Sequence, residues 1–186
     1  MRFFIALEIP SENLAQLQAI QRDLQTLIPQ IRLTALDKIH LTLVFVGEQQ
    51  DSLKDDLVNV IHSAAKGISA FMVAPGYIDG FPTIHNPECL WVGVKGDVDK
   101  IFLIRERIKD KLEHLRLPTD ERRFVPHITV AKLKHHIQIT GELEEALEKI
   151  MDQLFNPIKI SSIKLFESVP SNGFHRHNTL AEIKLS

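Results

Sequence analysis

The stretch IHLTLVFVGE, residues 39–48, predicts a β-strand, because apolar residues alternate along it with other residues. Side chains of a strand point alternately to its two faces, so residues two apart share a face. The face expected to be buried carries Leu41, Leu43 and Phe45. The opposite face carries His40 and Thr42, where a plain amphipathic strand has charged or unremarkable polar groups. This pairing of an imidazole with a hydroxyl on a mostly apolar strand needs an explanation.

The same pattern returns 87 residues later, in PHITVAK, residues 126–132. His127 and Thr129 share one face of this second strand, and the apolar residues between them are expected to point into the protein. Strict alternation places Lys132 on the face opposite His127. Its ammonium group can therefore approach the histidine only if the strand ends or twists there.

The composition is that of an ordinary globular protein. The chain has 186 residues, of which 44% are hydrophobic and 25% charged, enough for one domain or two small lobes. No run of about 18 apolar residues is present, so no membrane-spanning helix is expected. The opening MRFFIALEIP meets Glu8 too soon for a secretory signal, which predicts a cytoplasmic protein.

Charge and cysteine usage exclude other classes of protein. Cys89 is the only cysteine, so neither an internal disulfide nor a cluster of thiolate metal ligands is possible. The net charge of −2 argues against a protein that coats nucleic acid by charge alone, since such proteins usually carry a basic field. Recognition of one phosphate or one nucleic-acid end remains compatible with it.

The spacing of the two motifs suggests an internal repeat. At an offset of 87, RFFIALE (residues 2–8) falls on CLWVGVK (residues 89–95), so that Phe4 meets Trp91. Each half then predicts a strand, a helix, the His-x-Thr strand, a second helix and a closing strand. Ser11 and Asp97 are the expected N-caps of the first helix in each half. The closing strands are expected at 71–78 and 158–166, followed by one extra strand at 179–185.

These elements predict an α+β fold built as a single bilobal domain over residues 1–186. The half-repeats span roughly 1–80 and 88–168, and two lobes are expected to be related by a pseudo-twofold axis. Each lobe would be an antiparallel sheet with helices on its outer face, around a central cleft. The twofold arrangement would bring both His-x-Thr pairs face to face across that cleft.

Two histidines on opposite sides of a cleft suit concerted acid–base chemistry. One imidazole can take a proton from a nucleophile while the other gives a proton to a leaving group, because histidine titrates near neutral pH. Threonine hydroxyls can donate to anionic oxygens without adding charge. This set fits a phosphodiester attacked by water, and it requires no metal. The structural alternative is a pair of hydrogen-bonded histidines kept for packing after a duplication.

The chain resembles the two-histidine phosphoesterase superfamily and, within it, the RNA 2′,3′-cyclic phosphodiesterases, also called 2′-5′ RNA ligases. The resemblance rests on the opening strand MRFFIALEIP, on KIHLTLVFVGE with its Phe-x-Gly, on CLWVGV and on RFVPHITVAK. It implies a bilobal fold with both motifs in a central groove. It also implies metal-independent opening of a cyclic phosphate at an RNA end to leave a 2′-phosphate, with RNA ligation as the reverse reaction.

The resemblance also implies roles for individual residues. His40 would protonate the departing 3′ oxygen and His127 would activate water, although a symmetric site could run either way. Thr42 and Thr129 would hold the phosphate oxygens. Lys132 stands where the family usually has arginine, and lysine keeps the charge but loses the bidentate fork. His177 takes the place of a tyrosine that similar members carry before the last strand, so substrate preference can differ.

Two further residues are candidates for substrate binding. Phe4 could stack on a base, with core packing as the alternative. Arg123 lies just before the second motif and could attract the RNA backbone, with a solvated basic turn as the alternative. The other histidine pairs lack a cysteine or an acidic companion at ligand spacing, which predicts no metal site. No phosphate-cradling glycine loop is present, so no cofactor is expected.

Three functions remain open from the sequence. The first is hydrolysis of RNA 2′,3′-cyclic phosphates, with RNA ends or small nucleotides as partners. The second keeps the fold but acts on another 2′-linked phosphodiester, as the unusual Lys132 and His177 suggest. The third is a non-catalytic module that binds phosphorylated RNA ends. Both motifs lie on one chain, so a monomer is sufficient for any of them.

Overall fold

The computed structural model describes residues 1–186, which form nine β-strands and four α-helices. The strands are β1 Arg2–Glu8, β2 Ile31–Leu33, β3 His40–Glu48, β4 Phe71–Phe81, β5 Cys89–Gly96, β6 His127–Leu133, β7 Ile158–Ile160, β8 Ser162–Ser171 and β9 Phe174–Lys184. The helices are α1 Ser11–Leu27, α2 Lys54–Ala65, α3 Val98–His114 and α4 Glu142–Ile150. No helix combines the length and the apolar character needed to cross a membrane.

All strands join one antiparallel sheet in the order β7-β4-β5-β6-β3-β1-β8-β9, and β2 pairs with the far end of β6. The sheet divides at the junction of β6 and β3 into two lobes. The β3 lobe contains β3, β1, β8 and β9, with α2 and α3 packed on it. The β6 lobe contains β7, β4, β5, β6 and β2, covered by α1 and α4. The predicted α+β class with two lobes of antiparallel strands is confirmed.

The lobes do not coincide with the halves of the sequence. The closing strand β4 of the first half pairs with β5, and β8 of the second half pairs with β1. Helix α1 likewise packs on β6, and α3 packs on β3. Each half of the chain therefore supplies its opening strand to one lobe and its first helix to the other. The half-repeats at 1–80 and 88–168 stay a prediction, supported by two crossing helices of 17 residues each.

The core fills the space between the sheet and the four helices. It consists of one cluster of buried apolar side chains from both lobes, so the lobes share a single core. In α1 the buried stripe recurs at helical spacing, as Leu17, Ile20 and Leu24. In α3 the same stripe is Ile101, Ile104 and Ile108. The opposite face of the sheet is left free for the groove that carries the two motifs.

Both motif strands contain an extra residue at the same place. In β3, Ile5 pairs with Val44 but Ala6 pairs with Thr42, so Leu43 has no partner in the ladder. In β6, Leu90 pairs with Ala131 but Trp91 pairs with Thr129, so Val130 has none. Such a β-bulge interrupts the alternation of side chains, because two residues of one strand oppose a single residue of its neighbour.

The bulges overturn two expectations drawn from strict alternation. Phe45, expected in the core, pairs with Phe4 on the groove face and is 62% exposed. Lys132, expected on the face opposite His127, pairs with Cys89 and so shares the groove face with Thr129. The two residues hold equivalent places, each two positions past the unpaired residue of its strand.

A buried polar side chain binds the backbone at each bulge. Gln21 of α1 donates through Nε2 to the carbonyl oxygen of Val130 at 2.9 Å and to that of Thr34 at 2.7 Å. Arg105 of α3 donates through Nε to the carbonyl oxygen of Leu43 at 3.2 Å. Bulges leave backbone groups outside the regular ladder, and a buried carbonyl without a donor is costly. The crossing helices thus bind the irregular point of each motif strand, at Val130 together with the N–H of Thr34.

Smaller differences concern element ends. Ser11 is the first residue of α1 and not its cap, because Pro10 occupies the cap position. Asp97 is the N-cap residue of α3, as expected, but its carboxylate accepts from the backbone N–H of Met72 and makes no cap bond. The strand expected at 158–166 is divided into β7 and β8, and the extra strand begins at Phe174. Trp91 pairs with Thr129 as Ala6 pairs with Thr42, so Ala6 is the structural equivalent of Trp91. The offset of 87 instead matched Trp91 with Phe4, two residues away.

Replacing Gln21 by leucine tests the bulge contact. The change leaves the Thr34 carbonyl without its side-chain donor and removes one of two donors to Val130, since the Thr34 N–H also binds there. We expect a loss of roughly 1–3 kcal/mol in the free energy of unfolding, measured by urea denaturation. Gln25→Leu, at an exposed site on the same helix, is the control. Equal stability of the two variants would contradict the contact's role.

Candidate active site

The two His-x-Thr motifs meet at the junction of the lobes. Strands β3 and β6 are antiparallel there, and Leu41 pairs with Ile128. In an antiparallel pair the flanking residues face each other in reverse order. His40 therefore lies beside Thr129, and His127 lies beside Thr42. Two imidazoles and two hydroxyls converge on the groove face within the span of one strand pair, where neighbouring strands are about 4.8 Å apart.

The ring of His127 is oriented by a carbonyl two residues earlier. The Nδ1 atom of His127 lies 2.7 Å from the carbonyl oxygen of Val125, which can only accept, so Nδ1 carries the proton. For His40, the backbone of Lys38 likewise raises the pKa, but burial and the like charge of His177 outweigh it. Fixing the proton on Nδ1 leaves Nε2 as the nitrogen that can exchange a proton.

On the β3 lobe, His40 lies against a cluster of aromatic rings drawn from four adjacent strands. Phe4 lies 5.1 Å from it between ring centroids, and Phe166 lies 5.0 Å from Phe4 in a stacked arrangement. His177 of β9 completes the cluster, 5.4 Å from His40 and 4.9 Å from Phe4. Its Nδ1 is buried and has no hydrogen-bond partner in the protein.

Phe4 itself is 2% exposed, which argues against the prediction that it binds substrate by stacking on a base. Its ring is covered by the neighbouring rings of His40, Phe166 and His177, so no face is open to a ligand. This burial favours the alternative of packing. Phe4 supports the ring of His40 and excludes water from one side of it.

On the β6 lobe, His127 has a similar aromatic support. Trp91 lies 5.3 Å from its ring, and Phe81 meets it edge-on at 4.9 Å. Tyr77 packs edge-on against Trp91 at 5.7 Å. Its ring lies over Gly93, where a β-carbon would come within 2.2 Å of it. The glycine thus leaves room for the outermost ring of this support.

Burial lowers the pKa of all three groove histidines. The pKa of His40 falls to about 4, first because burial disfavours its charged form and then because of the like charge of His177. Burial also lowers the pKa of His127, although its bond to Val125 acts in the other direction. The pKa of His177 is lowered by burial, then by Lys38 and His175. With these neighbours alone, the imidazoles are neutral at pH 7.

The two predicted cationic residues lie on opposite sides of the motifs. Lys132 is exposed on the groove face, and in the ladder it faces Arg32 of β2. Arg123 is exposed and lines a cavity that reaches Thr42 and His127. It makes no ion pair, whereas its neighbour Arg122 is held by Asp120 at 2.7 Å. Both positions are open to an anion, and their roles in binding stay predictions.

The structure adds residues that the sequence reading missed. The sequence pattern could have identified Gln21 and Arg105, because each interrupts an apolar helical stripe with a polar side chain. The sequence pattern that points to Trp91 and Phe81 is weaker, since they are only aromatic residues near the ends of strands. No group of three or more histidine, cysteine, aspartate or glutamate side chains is placed to hold a metal ion.

The lowered pKa of His40 predicts how stability depends on pH. Between about 4 and its ordinary 6.5, the unfolded chain binds a proton on this residue that the folded chain does not. The free energy of unfolding therefore falls as the pH drops from about 6.5 to about 4. We expect His40→Gln to flatten this dependence in thermal melts over that range. His62→Gln, on the exposed face of α2, should leave the slope unchanged. Equal slopes in all three proteins would refute the assignment.

Sequence comparison finds named relatives along most of the chain. An RNA 2′,3′-cyclic phosphodiesterase of Methanocaldococcus jannaschii is 27% identical over 168 residues, covering 90% of this chain and 91% of the relative. One from Aeropyrum pernix is 25% identical over 148 residues, covering 80% and 82%. Matches of this length extend across the two motif strands.

Structural comparison gives the same fold at lower identity. A protein of Thermus thermophilus superposes with a TM-score of 0.79 at 20% identity, covering 100% of this chain and 98% of that one. Escherichia coli LigT, solved with 3′-AMP, gives 0.75 at 20% identity with the same coverage. The model of the 2′-5′ RNA ligase superfamily matches residues 32–169, which contain both motifs. The chain therefore belongs to the 2′-5′ RNA ligase superfamily, the family that its paired His-x-Thr motifs predicted.

Proposed function

We propose that this protein hydrolyses RNA 2′,3′-cyclic phosphate ends to 2′-phosphomonoesters. The observation that carries the proposal is the antiparallel pairing of Leu41 with Ile128, which sets two imidazoles and two threonines around one small volume. Relatives that match most of the chain bear the name RNA 2′,3′-cyclic phosphodiesterase. His40, His127, Thr42 and Thr129 are the residues to which we assign the chemistry.

The reaction needs one proton removed and one proton supplied. A neutral imidazole takes a proton from water as the water oxygen attacks phosphorus. The bond from phosphorus to the 3′ oxygen breaks, and a protonated imidazole gives its proton to that oxygen. The product carries a 2′-phosphate and a 3′-hydroxyl. The two histidines end with exchanged protonation states and recover by exchange with solvent. A phosphate anion supplies the opposite charge that raises a histidine pKa.

The threonines and Lys132 are suited to the non-bridging phosphate oxygens. Thr42 lies beside His127 and Thr129 beside His40, so a hydroxyl donor accompanies each imidazole. Hydroxyl donors that are already in place stabilise the charge that develops on phosphorus oxygens in the transition state. Lys132 adds a positive charge on the groove face without the bidentate geometry of an arginine.

The roles of acid and base are open to a direct test. The resemblance to the family gives the acid role to His40 and the base role to His127. The neighbours of the rings argue the other way, because His177 disfavours a proton on His40 and no such neighbour acts on His127. We propose the assignment that the resemblance implies.

The reaction and its need for both histidines can be tested on a short RNA with a 2′,3′-cyclic phosphate end, in EDTA. We expect a 2′-phosphate product, identified by its phosphatase sensitivity and mobility. His40→Ala and His127→Ala should each reduce kcat by roughly 10²–10⁴-fold, as loss of a general acid or base does. Thr42→Val and Thr129→Val should reduce kcat/KM by roughly 10²–10³-fold. Activity that EDTA abolishes and metal restores would refute the proposed mechanism.

A better leaving group distinguishes the two histidines. A cyclic phosphorothiolate with sulfur at the 3′ bridging position releases a thiolate, which needs no protonation. We expect this substrate to restore turnover to His40→Ala and not to His127→Ala. The opposite pattern would reverse the two roles. Rescue of both variants, or of neither, would contradict a division into one acid and one base.

The reverse reaction and the cellular setting are part of the same proposal. A 5′-hydroxyl in place of water would give 2′-5′ ligation of RNA ends in the same site. A cytoplasmic location fits a substrate formed from RNA, and a monomer suffices because one chain supplies both motifs. A panel of RNA ends incubated with the protein would detect ligation as a longer product resistant to phosphatase.

A second candidate keeps the chemistry but changes the substrate to another 2′-linked phosphodiester. The observation that favours it is His177, which lies against both Phe4 and His40 with a buried, unpartnered nitrogen. This ring changes the shape and the hydrogen bonding of the groove beside one catalytic candidate. Comparison of kcat/KM for a 2′-5′ dinucleotide and a cyclic-ended RNA decides between them, and the candidate fails if the cyclic end is preferred by orders of magnitude.

A further inference from the structure

The cavity beside the motifs is lined by more than the catalytic candidates Thr42 and His127. Four cationic side chains also line it, two from α3 and two from the segment before β6: Arg105, Lys109, Arg122 and Arg123. The cavity has a volume of about 590 Å³, within the range of roughly 300–1,000 Å³ that small-molecule sites occupy. It therefore has room for more of a ligand than the phosphate that reacts at the histidines.

The lining of this cavity carries an excess of positive charge, although the chain has a net charge of −2. Only two carboxylates, Asp120 and Glu88, line it with the four cations. Asp120 is already engaged, because Arg122 donates to it through Nη2 at 2.7 Å and through Nε at 3.0 Å. Three cations are thus left with one carboxylate. A cleft lined mainly by one sign of charge concentrates a ligand of the opposite sign, so an anion is the expected ligand.

Arg105 is the buried member of the three, with only 6% of its surface exposed. Its Nε donates to the carbonyl oxygen of Leu43, and its guanidinium carbon lies 4.4 Å from the ring centre of Phe124. Its Nη1 pairs at 3.0 Å with Glu106, whose side chain is 58% exposed, which makes the pair weak. Nη2 has no hydrogen-bond partner in the protein. A buried cation is costly unless it is paired, and an anion in the cavity would complete the pairing.

Arg105 is close to the position expected for the reacting phosphate. Leu43, whose carbonyl it binds, directly follows Thr42 along β3. Neighbouring residues of a strand are about 3.3 Å apart and hydrogen bonds are about 3 Å long. An anion bound by Arg105 would therefore lie on the order of 10 Å from a phosphate bound by Thr42. At an RNA end, the nearest second phosphate is the one on the 5′ oxygen of the terminal nucleotide.

We propose that Arg105, Lys109 and Arg123 form a second phosphate subsite. It binds the phosphate on the 5′ oxygen of the nucleotide whose cyclic phosphate reacts. The proposal rests on the proposed function, since it takes the cyclic-ended nucleotide as the ligand. The two guanidinium groups offer planar pairs of donors to phosphate oxygens, and the lysine adds a point charge. RNA ends and 5′-phosphorylated nucleotides are thus the preferred substrates, ahead of a cyclic nucleotide with a free 5′-hydroxyl.

The test compares cytidine 2′,3′-cyclic phosphate with the same nucleotide carrying a 5′-phosphate. For the wild-type protein we expect KM to be roughly 10- to 100-fold lower for the 5′-phosphorylated substrate, the ratio that hydrogen bonds to charged groups provide. Lys109→Gln and Arg123→Gln should each bring this ratio closer to one. Lys111→Gln, on the same helix but outside the cavity, should keep it. Arg105 is left unchanged because its loss would also disturb the bulge in β3.

Equal KM values for the two substrates in the wild-type protein would overturn the subsite. A ratio that persists in both Lys109→Gln and Arg123→Gln would also overturn it. Loss of that ratio in Arg32→Gln would then place the 5′-phosphate beside Lys132, the ladder partner of Arg32. Turnover of the substrate without a 5′-phosphate measures the proposed function separately. Failure of both substrates therefore refutes that function, whereas turnover of both with equal KM refutes the subsite alone.

Discussion

The groove depends on one constraint, the extra residue that each motif strand carries just after its His-x-Thr pair. A regular strand would place the position three residues after the threonine on the buried face. The bulges at Leu43 and Val130 return that position to the groove, so that Phe45 and Lys132 flank the histidines. Buried donors from Gln21 and Arg105 bind the carbonyls of the same two residues. The geometry of the site is thus set in the backbone and held by helices that cross between lobes.

Burial gives the histidines the other property that the proposed chemistry needs. Packed aromatic rings remove water from one side of each imidazole, which keeps it neutral near pH 7. A carbonyl two residues earlier holds the proton on Nδ1 of His127. A neutral, oriented pair can act as bases, and an arriving phosphate anion is the charge that favours protonation of one of them. Binding and the division into acid and base are therefore linked.

The sequence predicted the elements well and the faces of the strands less well. The order of strands and helices and the convergence of the motifs follow from periodicity and from one repeated pattern. The exposure of Phe45 and the orientation of Lys132 did not follow, because a bulge leaves no periodic signal and alternation was the only rule available. The pairing of β4 with β5 was also hidden, since local pattern says nothing about which lobe a closing strand joins. The bulges had one sign in the sequence, the polar residues Gln21 and Arg105 on apolar helical stripes.

The central claim is that His40 and His127 act on one phosphate. The most direct measurement follows the imidazole ¹⁵N resonances of both histidines during titration with adenosine 2′-monophosphate, the type of product the reaction leaves. Both sets of resonances should follow a single binding curve with one nucleotide per protein. Nδ1 of His127 should keep its proton while its Nε2 responds. A response from only one histidine, or two separate binding curves, would contradict the claim.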